Sequence, residues 1–233
     1  MFTTSTHRYL MFFSNKGKVY KLRAWQIPEA GRQARGTAVV NLLQLDSGEK
    51  ITAAIKLHGD EQNMYLIMAT KKGMVKKTPL EQYDNIRKGG IAAINLREDD
   101  ELISTRLTDG TYDIILVTKN GMSIRFNEKD ARPMGRTSIG VIGIRLDEDD
   151  EVISMVPYFE NTTLLVVTVN GFGKRTDLDE YKVQTRGGKG VLTYRVTEKT
   201  GYLIGAMSVD EDDDLMLIST DGTIIRMHVN EIS

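Results

Sequence analysis

The sequence has no cysteine among its 233 residues, which excludes disulfides and thiolate metal sites and fits a reducing cytoplasm. Its three histidines, His7, His58 and His228, lie far apart and have no metal-ligand spacing. Only four prolines and one tryptophan are present. No segment approaches the roughly 18 consecutive apolar residues of a membrane helix. The opening "MFTTSTHRYL" lacks the basic and apolar regions of a secretory leader, so the sequon Asn161-Thr162-Thr163 is read as coincidence. Catalytic patterns are missing too. There is no G-x-S-x-G elbow and no G-x-G-x-x-G opening a helix. The loop "QTRGGKG", Gln184 to Gly190, looks like a phosphate loop, but Lys189 is followed by Gly190 where a Walker A loop needs a hydroxyl. No metal or other cofactor is expected.

Charge of either sign is scarce only on average. The net charge is −1, yet the runs Glu98 to Glu101, Asp147 to Glu151 and Asp210 to Asp214 hold 14 of the 32 acidic residues. Without them the remainder is basic, so the balance has to be judged face by face.

What the sequence does contain is a repeat. Five segments share one form: "LMFFSNKGKVYKL", "LIMATKKGMVKKT", "ILVTKNGMSIRF", "LVVTVNGFGKRT" and "LMLISTDGTIIRM". Their glycines, Gly17, Gly73, Gly121, Gly171 and Gly222, are spaced 56, 48, 50 and 51 apart. Ser14, Thr70, Thr118, Thr168 or Ser219 stands three residues before each. The Asn-Gly and Asp-Gly pairs of the last three copies predict hairpins with type I′ turns. A second shared glycine follows, at Gly36, Gly90, Gly140 and Gly190. After it "TAVVNLLQL", "IAAINLRED", "VIGIRLDED" and "VLTYRVTEK" predict short third strands, and "KITAAI", "ELISTRL", "EVISMV" and "YLIGAM" predict fourth strands. The acidic runs at Glu98 and Asp147 fall in the turn between them and are expected on one rim. The fold class is therefore all-β, a propeller-like ring of about five four-stranded blades built from ~50-residue repeats. The expected layout is one domain over 1–233, with repeats near 7–57, 63–107, 112–157, 162–207 and a partial 213–233.

Positive charge recurs at fixed offsets. Four residues after each hairpin glycine stands Lys21, Lys77, Arg125, Arg175 or Arg226, and Lys18, Lys76 and Lys174 lie nearby. With 31 Lys and Arg in 233 residues, five from five is on the order of one in tens of thousands by composition. Two readings stand: a guard on an exposed sheet edge, or a phosphate contact. The second loops add Arg32, Arg35, Arg87, Lys88, Arg136 and, around the double glycine, Arg186, Gly187, Gly188, Lys189 and Gly190. A belt of such positions suits a continuous line of phosphates better than a single small ligand. The aromatics Trp25, Tyr83, Phe126 and Tyr181 are read as core or rim packing rather than base-stacking platforms.

These features resemble the C-terminal domain of the DNA gyrase A protein. The resemblance rests on the ~50-residue repeats, the base after each hairpin glycine, the "QTRGGKG" loop, "YKLRAWQIPEAGRQARGTAVVNLL", "NGFGKRTDLDEY" and "DGTIIRMHVNEIS", and it covers essentially the whole chain. It implies a β-pinwheel that exchanges strands between blades, and a non-catalytic role in which a basic outer rim bends duplex DNA without reading bases. It also implies that the active-site tyrosine and the ATPase lie elsewhere. The implied partners are the phosphate backbone of duplex DNA, the rest of the gyrase A protein, and the gyrase B protein in an A2B2 assembly. No membrane is implied, and the isolated domain is expected to be a monomer in the bacterial cytoplasm. One departure stands out. The family's box Q-[KR]-R-G-G-[KR]-G belongs to the first repeat, whereas Gln184 to Gly190 lies in the fourth and carries Thr185 at the second position. The first repeat offers only Arg32 to Ala38. The expectation is a chain that starts at the second blade; the corresponding A protein of topoisomerase IV, or a propeller that binds proteins, is the alternative.

Overall fold

The aligned Ser or Thr of each repeat is the residue that builds its hairpin. In the computed structural model, which describes residues 2–31 and 33–232, the hairpin glycine N–H donates to the carbonyl of that residue, as Gly121 does to Thr118 at 3.1 Å. The residue after the glycine then donates its N–H to the hydroxyl: Lys18 to Ser14 Oγ (3.3 Å), Met74 to Thr70 Oγ1, Met122 to Thr118 Oγ1, Phe172 to Thr168 Oγ1 and Thr223 to Ser219 Oγ (each 3.1 Å). This overturns the expectation of type I′ turns. Asn120, Asn170 and Asp221 are not among the residues with positive φ, so the turn is one whose last residue alone is left-handed and glycine. The side-chain bond replaces the second left-handed residue as the device that closes it.

In chain order, the first repeat holds β1 (Tyr9–Ser14), β2 (Lys18–Arg23) and β3 (Ile51–Lys56). The second holds β4 (Tyr65–Thr70), β5 (Met74–Pro79), β6 (Ile91–Ala92) and β7 (Leu102–Thr108). The third holds β8 (Asp113–Thr118), β9 (Met122–Asn127), β10 (Val141–Ile142) and β11 (Val152–Pro157). The fourth holds β12 (Thr163–Thr168), β13 (Gly173–Asp177), β14 (Val191–Leu192) and β15 (Leu203–Val209), and the fifth β16 (Asp214–Ile218) and β17 (Ile224–His228). The sheets run β3-β1-β2-β6, β10-β5-β4-β7, β11-β8-β9-β14, β13-β12-β15 and β16-β17, antiparallel between neighbouring strands.

The short third strand therefore leaves its own repeat. β6 joins β2 through Val19↔Ile91, β10 joins β5 through Val75↔Val141, and β14 joins β9 through Ser123↔Val191. The second shared glycine makes this approach possible. A Cβ on Gly190, which has φ +77°, would lie 2.1 Å from the Ser123 carbonyl oxygen. The segment "TAVVNLLQL" departs from expectation. It forms a 3-10 turn at Val39–Asn41 with Val40 exposed, whereas its counterparts in the second to fourth repeats pair with the hairpin of the repeat before.

Contacts divide the chain into two units, Met1–Thr111 with Ala131–Ile142, and Tyr112–Asp130 with Gly143–Ser233. In the first, Phe13, Val19, Leu66, Met68, Tyr83 and Leu102 form the core; in the second, Ile115, Val117, Leu164, Val166, Leu178 and Leu203 do so. Each such side chain contributes about 1.5–3 kcal/mol by leaving water. The acidic turns serve as caps: Asp100 Oδ1 accepts the Lys72 N–H and Asp150 Oδ1 the Asn120 N–H, both at 2.9 Å. Asp99 and Asp149 take left-handed backbone, φ +55° and +63°, which aspartate tolerates better than most residues. No helix among the described residues is long and apolar enough to cross a membrane.

Candidate nucleic-acid interface

The repeated base four residues after each hairpin glycine lies on the second hairpin strand, opposite Met11, Ile67, Ile115, Leu165 or Met216. In four of the five repeats its side chain reaches back to the first residue of the preceding strand, Tyr9, Tyr65, Asp113 or Asp214. Lys21 lies 4.6 Å from the Tyr9 ring centroid and Lys77 5.5 Å from that of Tyr65. Arg125 donates Nε to Asp113 at 2.9 Å and Nη1 to the Tyr181 carbonyl at 3.0 Å, with its guanidinium 3.6 Å over the Tyr158 ring. Arg175 donates Nε to the Ile232 carbonyl at 2.7 Å. Arg226 pairs with Asp214, holding that carboxyl below the usual carboxylate range.

Three of the predicted contacts are thereby corrected. Lys76 and Lys77 are 0 % and 3 % exposed, and the Arg125 side chain is 11 % exposed with its donors committed. The physical cause is the strand exchange. Pro133 bridges Lys77 and Val183 bridges Arg125, so the loop that brings in the exchanged strand lies along these positions. Lys76 donates to the carbonyls of Ala93 (2.6 Å), Gly135 (3.4 Å) and Arg136. Burial and the neighbouring Arg136 guanidinium push its ammonium down to about 7, against the pull of those three oxygens. Both lysines belong to the interior.

The remaining bases divide by engagement. Lys18 is paired with Asp46 at 2.7 Å, Lys174 donates to the Thr193 carbonyl at 3.0 Å, and Arg136 donates to the Ala92 carbonyl at 2.6 Å. Arg35, Arg87 and Lys88 are exposed; Arg32 lies outside the described residues. In "QTRGGKG", Arg186 gives Nε to the Asp130 carbonyl (2.9 Å), and Lys189, 71 % exposed, reaches Asp147 (2.7 Å). The loop is pinned from below: the Gly187 N–H donates to Gly143 O at 2.7 Å, and the Arg145 N–H to Gly188 O at 2.8 Å.

That last bond brings in a residue the sequence reading missed. Arg145 is exposed beside Arg186 and Lys189, and Arg195 is exposed at the same offset, five residues after the second shared glycine. Arg132 and Lys182, just before the bridging Pro133 and Val183, are exposed as well. The signal was present, since both pairs align between repeats. Of the aromatics, Tyr83, Phe126 and Tyr181 are core residues and Trp25 is 60 % exposed. Among the described residues no cluster of three or more His, Asp or Glu is arranged to hold a metal.

Residues 8–58, 65–109, 112–158, 162–210 and 213–233 match the family described as "DNA gyrase C-terminal domain, beta-propeller". The chain belongs to that family. It is 56% identical over 233 residues to the DNA gyrase A protein of Clostridium acetobutylicum and 58% identical over 233 residues to that of Halalkalibacterium halodurans. The whole chain is matched in both, and it spans 28% of the length of each relative. Among solved structures, a C-terminal domain of DNA topoisomerase IV superposes with TM-score 0.88 at 29% identity, covering 98% of this chain and 72% of the other. A DNA gyrase A C-terminal domain gives 0.84 at 27%, covering 98% and 74%. The fold shared with these domains is the β-pinwheel, in which this chain hands strands from one repeat to the sheet before it.

Proposed function

We propose that the chain binds duplex DNA by its phosphate backbone and bends it without sequence-specific base readout, as the wrapping part of a DNA gyrase A protein. The observation that carries this reading is the set of bases on the loops around the exchanged strands: Arg87, Lys88, Arg145, Arg186, Lys189 and Arg195. All but the half-buried Arg186 are exposed, and they stand on backbone fixed by the strand exchange. Membership of the gyrase C-terminal family supports it. The five repeats act together as one domain that directs the supercoiling of the full ATP-dependent enzyme. That enzyme is proposed to contain the gyrase B protein in an A2B2 assembly in the bacterial cytoplasm, with the catalytic tyrosine and ATPase outside this chain.

Bending 20–30 bp by 40–90° costs on the order of 1–6 kcal/mol. Counterion release must offset that cost, and six neutralised phosphates give a log–log salt slope of about −5. Fluorescence anisotropy with a duplex of ~40 bp, longer than the bent site, at several salt concentrations tests the reading. Binding with a slope near −5 and equal affinity for unrelated sequences is expected. A slope near zero, or strong preference for one sequence, would sink it.

A further inference from the structure

Among the three second hairpin strands that receive an exchanged strand, β2, β5 and β9, the rest of the outer edge is filled in the same way on β5 and β9 and left open on β2. On β5, the Met134 N–H donates to the Lys77 carbonyl at 2.9 Å beside the Lys77–Pro133 bridge. On β9, the Gln184 N–H donates to the Arg125 carbonyl at 2.7 Å beside the Arg125–Val183 bridge. Both visiting segments have one chemistry: a base, then Pro or Val, then an arginine three residues on, in Arg132-Pro133…Arg136 and Lys182-Val183…Arg186.

The matching edge of β2 pairs with β6 only at Lys18 and Val19. The Met11↔Lys21 register repeats Ile67↔Lys77 and Ile115↔Arg125, so the Lys21 carbonyl faces outward as those of Lys77 and Arg125 do. Among the described residues, no loop N–H donates to it. The cause is loop length. Tyr83, Ala131 and Tyr181 are the buried residues closing or following the 3-10 turn. From there to the second shared glycine the second repeat has seven positions, against nine in the third and fourth. Where the shorter loop falls short, a cleft of about 770 Å³ opens, floored by Met11, Met64 and Leu80 and rimmed by Asp60, Glu81 and Asp84. The nearby Arg23 is already committed, donating to the His7 carbonyl at 2.8 Å and lying 4.2 Å over the Tyr9 ring.

We propose that this cleft docks an extended basic segment of a partner protein, of the form Lys/Arg–Pro/Val–x–x–Arg, which adds to β2 at Lys21. The chain's own loops set the backbone geometry, and the three rim carboxylates, which outnumber the cleft's other cations Arg8 and Lys21, complement the segment's flanking bases. This docking stands apart from the DNA reading and uses a different partner.

The probe is a fluorescein-labelled peptide with the sequence of residues 130–136, DARPMGR, titrated with the full chain. Hydrogen exchange at Lys21–Arg23 is followed in parallel. Saturable binding with slowed exchange there is expected, weakened at least about tenfold when the peptide's Met nitrogen is methylated, because the donor to Lys21 is lost. Lengthening the second-repeat loop by two residues, by grafting the fourth-repeat loop in its place, should fill the cleft from within and abolish peptide binding. Absence of saturation up to millimolar peptide overturns the proposal, as does indifference to N-methylation, which carries no risk to folding. Protection of Lys21–Arg23 by a DNA duplex or by a second copy of the chain, but not by the peptide, overturns it as well.

Discussion

Lys76 and Arg125 carry the same charge as Lys189 and Arg145 but act on a different part of the free energy. Truncating Lys76 empties a fully buried site and takes a donor from the Arg136 carbonyl, while Ala93 keeps the Tyr83 hydroxyl and Gly135 the Ser138 N–H, so Lys76→Ala should lower unfolding free energy by about 2–4 kcal/mol. The buried ammonium also sets a pH dependence. Its folded value, about 7, is below the ordinary lysine value of about 10.4, so between these limits the unfolded chain binds more protons at this site. The cost of holding the charge is therefore full below pH 7 and relieved as pH rises toward 10. Urea titrations from pH 6 to 9.5 should show the stability of the wild type gaining on Lys76→Met by up to about 1.4 kcal/mol per pH unit; a constant difference would contradict it. Arg145→Ala and Lys189→Ala, in contrast, should change stability by less than about 0.5 kcal/mol while each reduces the salt slope of DNA binding by about 1. Arg125→Ala should reverse the pattern, losing about 2–4 kcal/mol of stability with the slope of the folded protein unchanged.

At the scale of the element, hairpins and exchanged strands differ in how far sequence discloses them. The glycine spacing, the Ser or Thr three residues earlier and the apolar runs place all five hairpins, because a hairpin is closed by local bonds. Thr118→Val, which removes the hydroxyl that takes the Met122 N–H, should cost about 1 kcal/mol and lower the melting temperature accordingly. The third strands of the second to fourth repeats were legible as strands, but not their destination: two residues of pairing, such as Val141–Ile142 on β5, leave no mark on composition. That gap is why Lys76 and Lys77 read as surface bases. Alternation along "MVKKTP" says nothing of the loop at Pro133 that lies beside it. Arg145 was missed for a related reason, since only the bond from its N–H to Gly188 connects it with the "QTRGGKG" loop. Gly190→Ala tests the exchange itself. The added Cβ meets the Ser123 carbonyl at 2.1 Å in left-handed backbone, and a loss of about 2–4 kcal/mol is expected by thermal unfolding.

Across the whole molecule, the net charge of −1 sums two populations with separate work. The carboxylates of Asp100 and Asp150 cap turns, while Glu98, Asp99, Glu148 and Asp149 are exposed and act on a polyanion only through the field. Replacing these four by their amides should raise DNA affinity several-fold at 50 mM salt. The gain should vanish near 0.5 M, where the screening length falls to roughly 4 Å; anisotropy at the two salt concentrations reads the difference. Strand exchange has a further consequence, in time rather than in space. β2 ends at Arg23 and its partner β6 begins at Ile91, 68 positions later. During synthesis at about 5–20 residues per second, the first sheet therefore waits roughly 3–14 s with its outer strand unpaired, and the sheets of β5 and β9 wait in turn for β10 and β14. The protein is finished one repeat in arrears, and the nascent chain always trails one incomplete sheet.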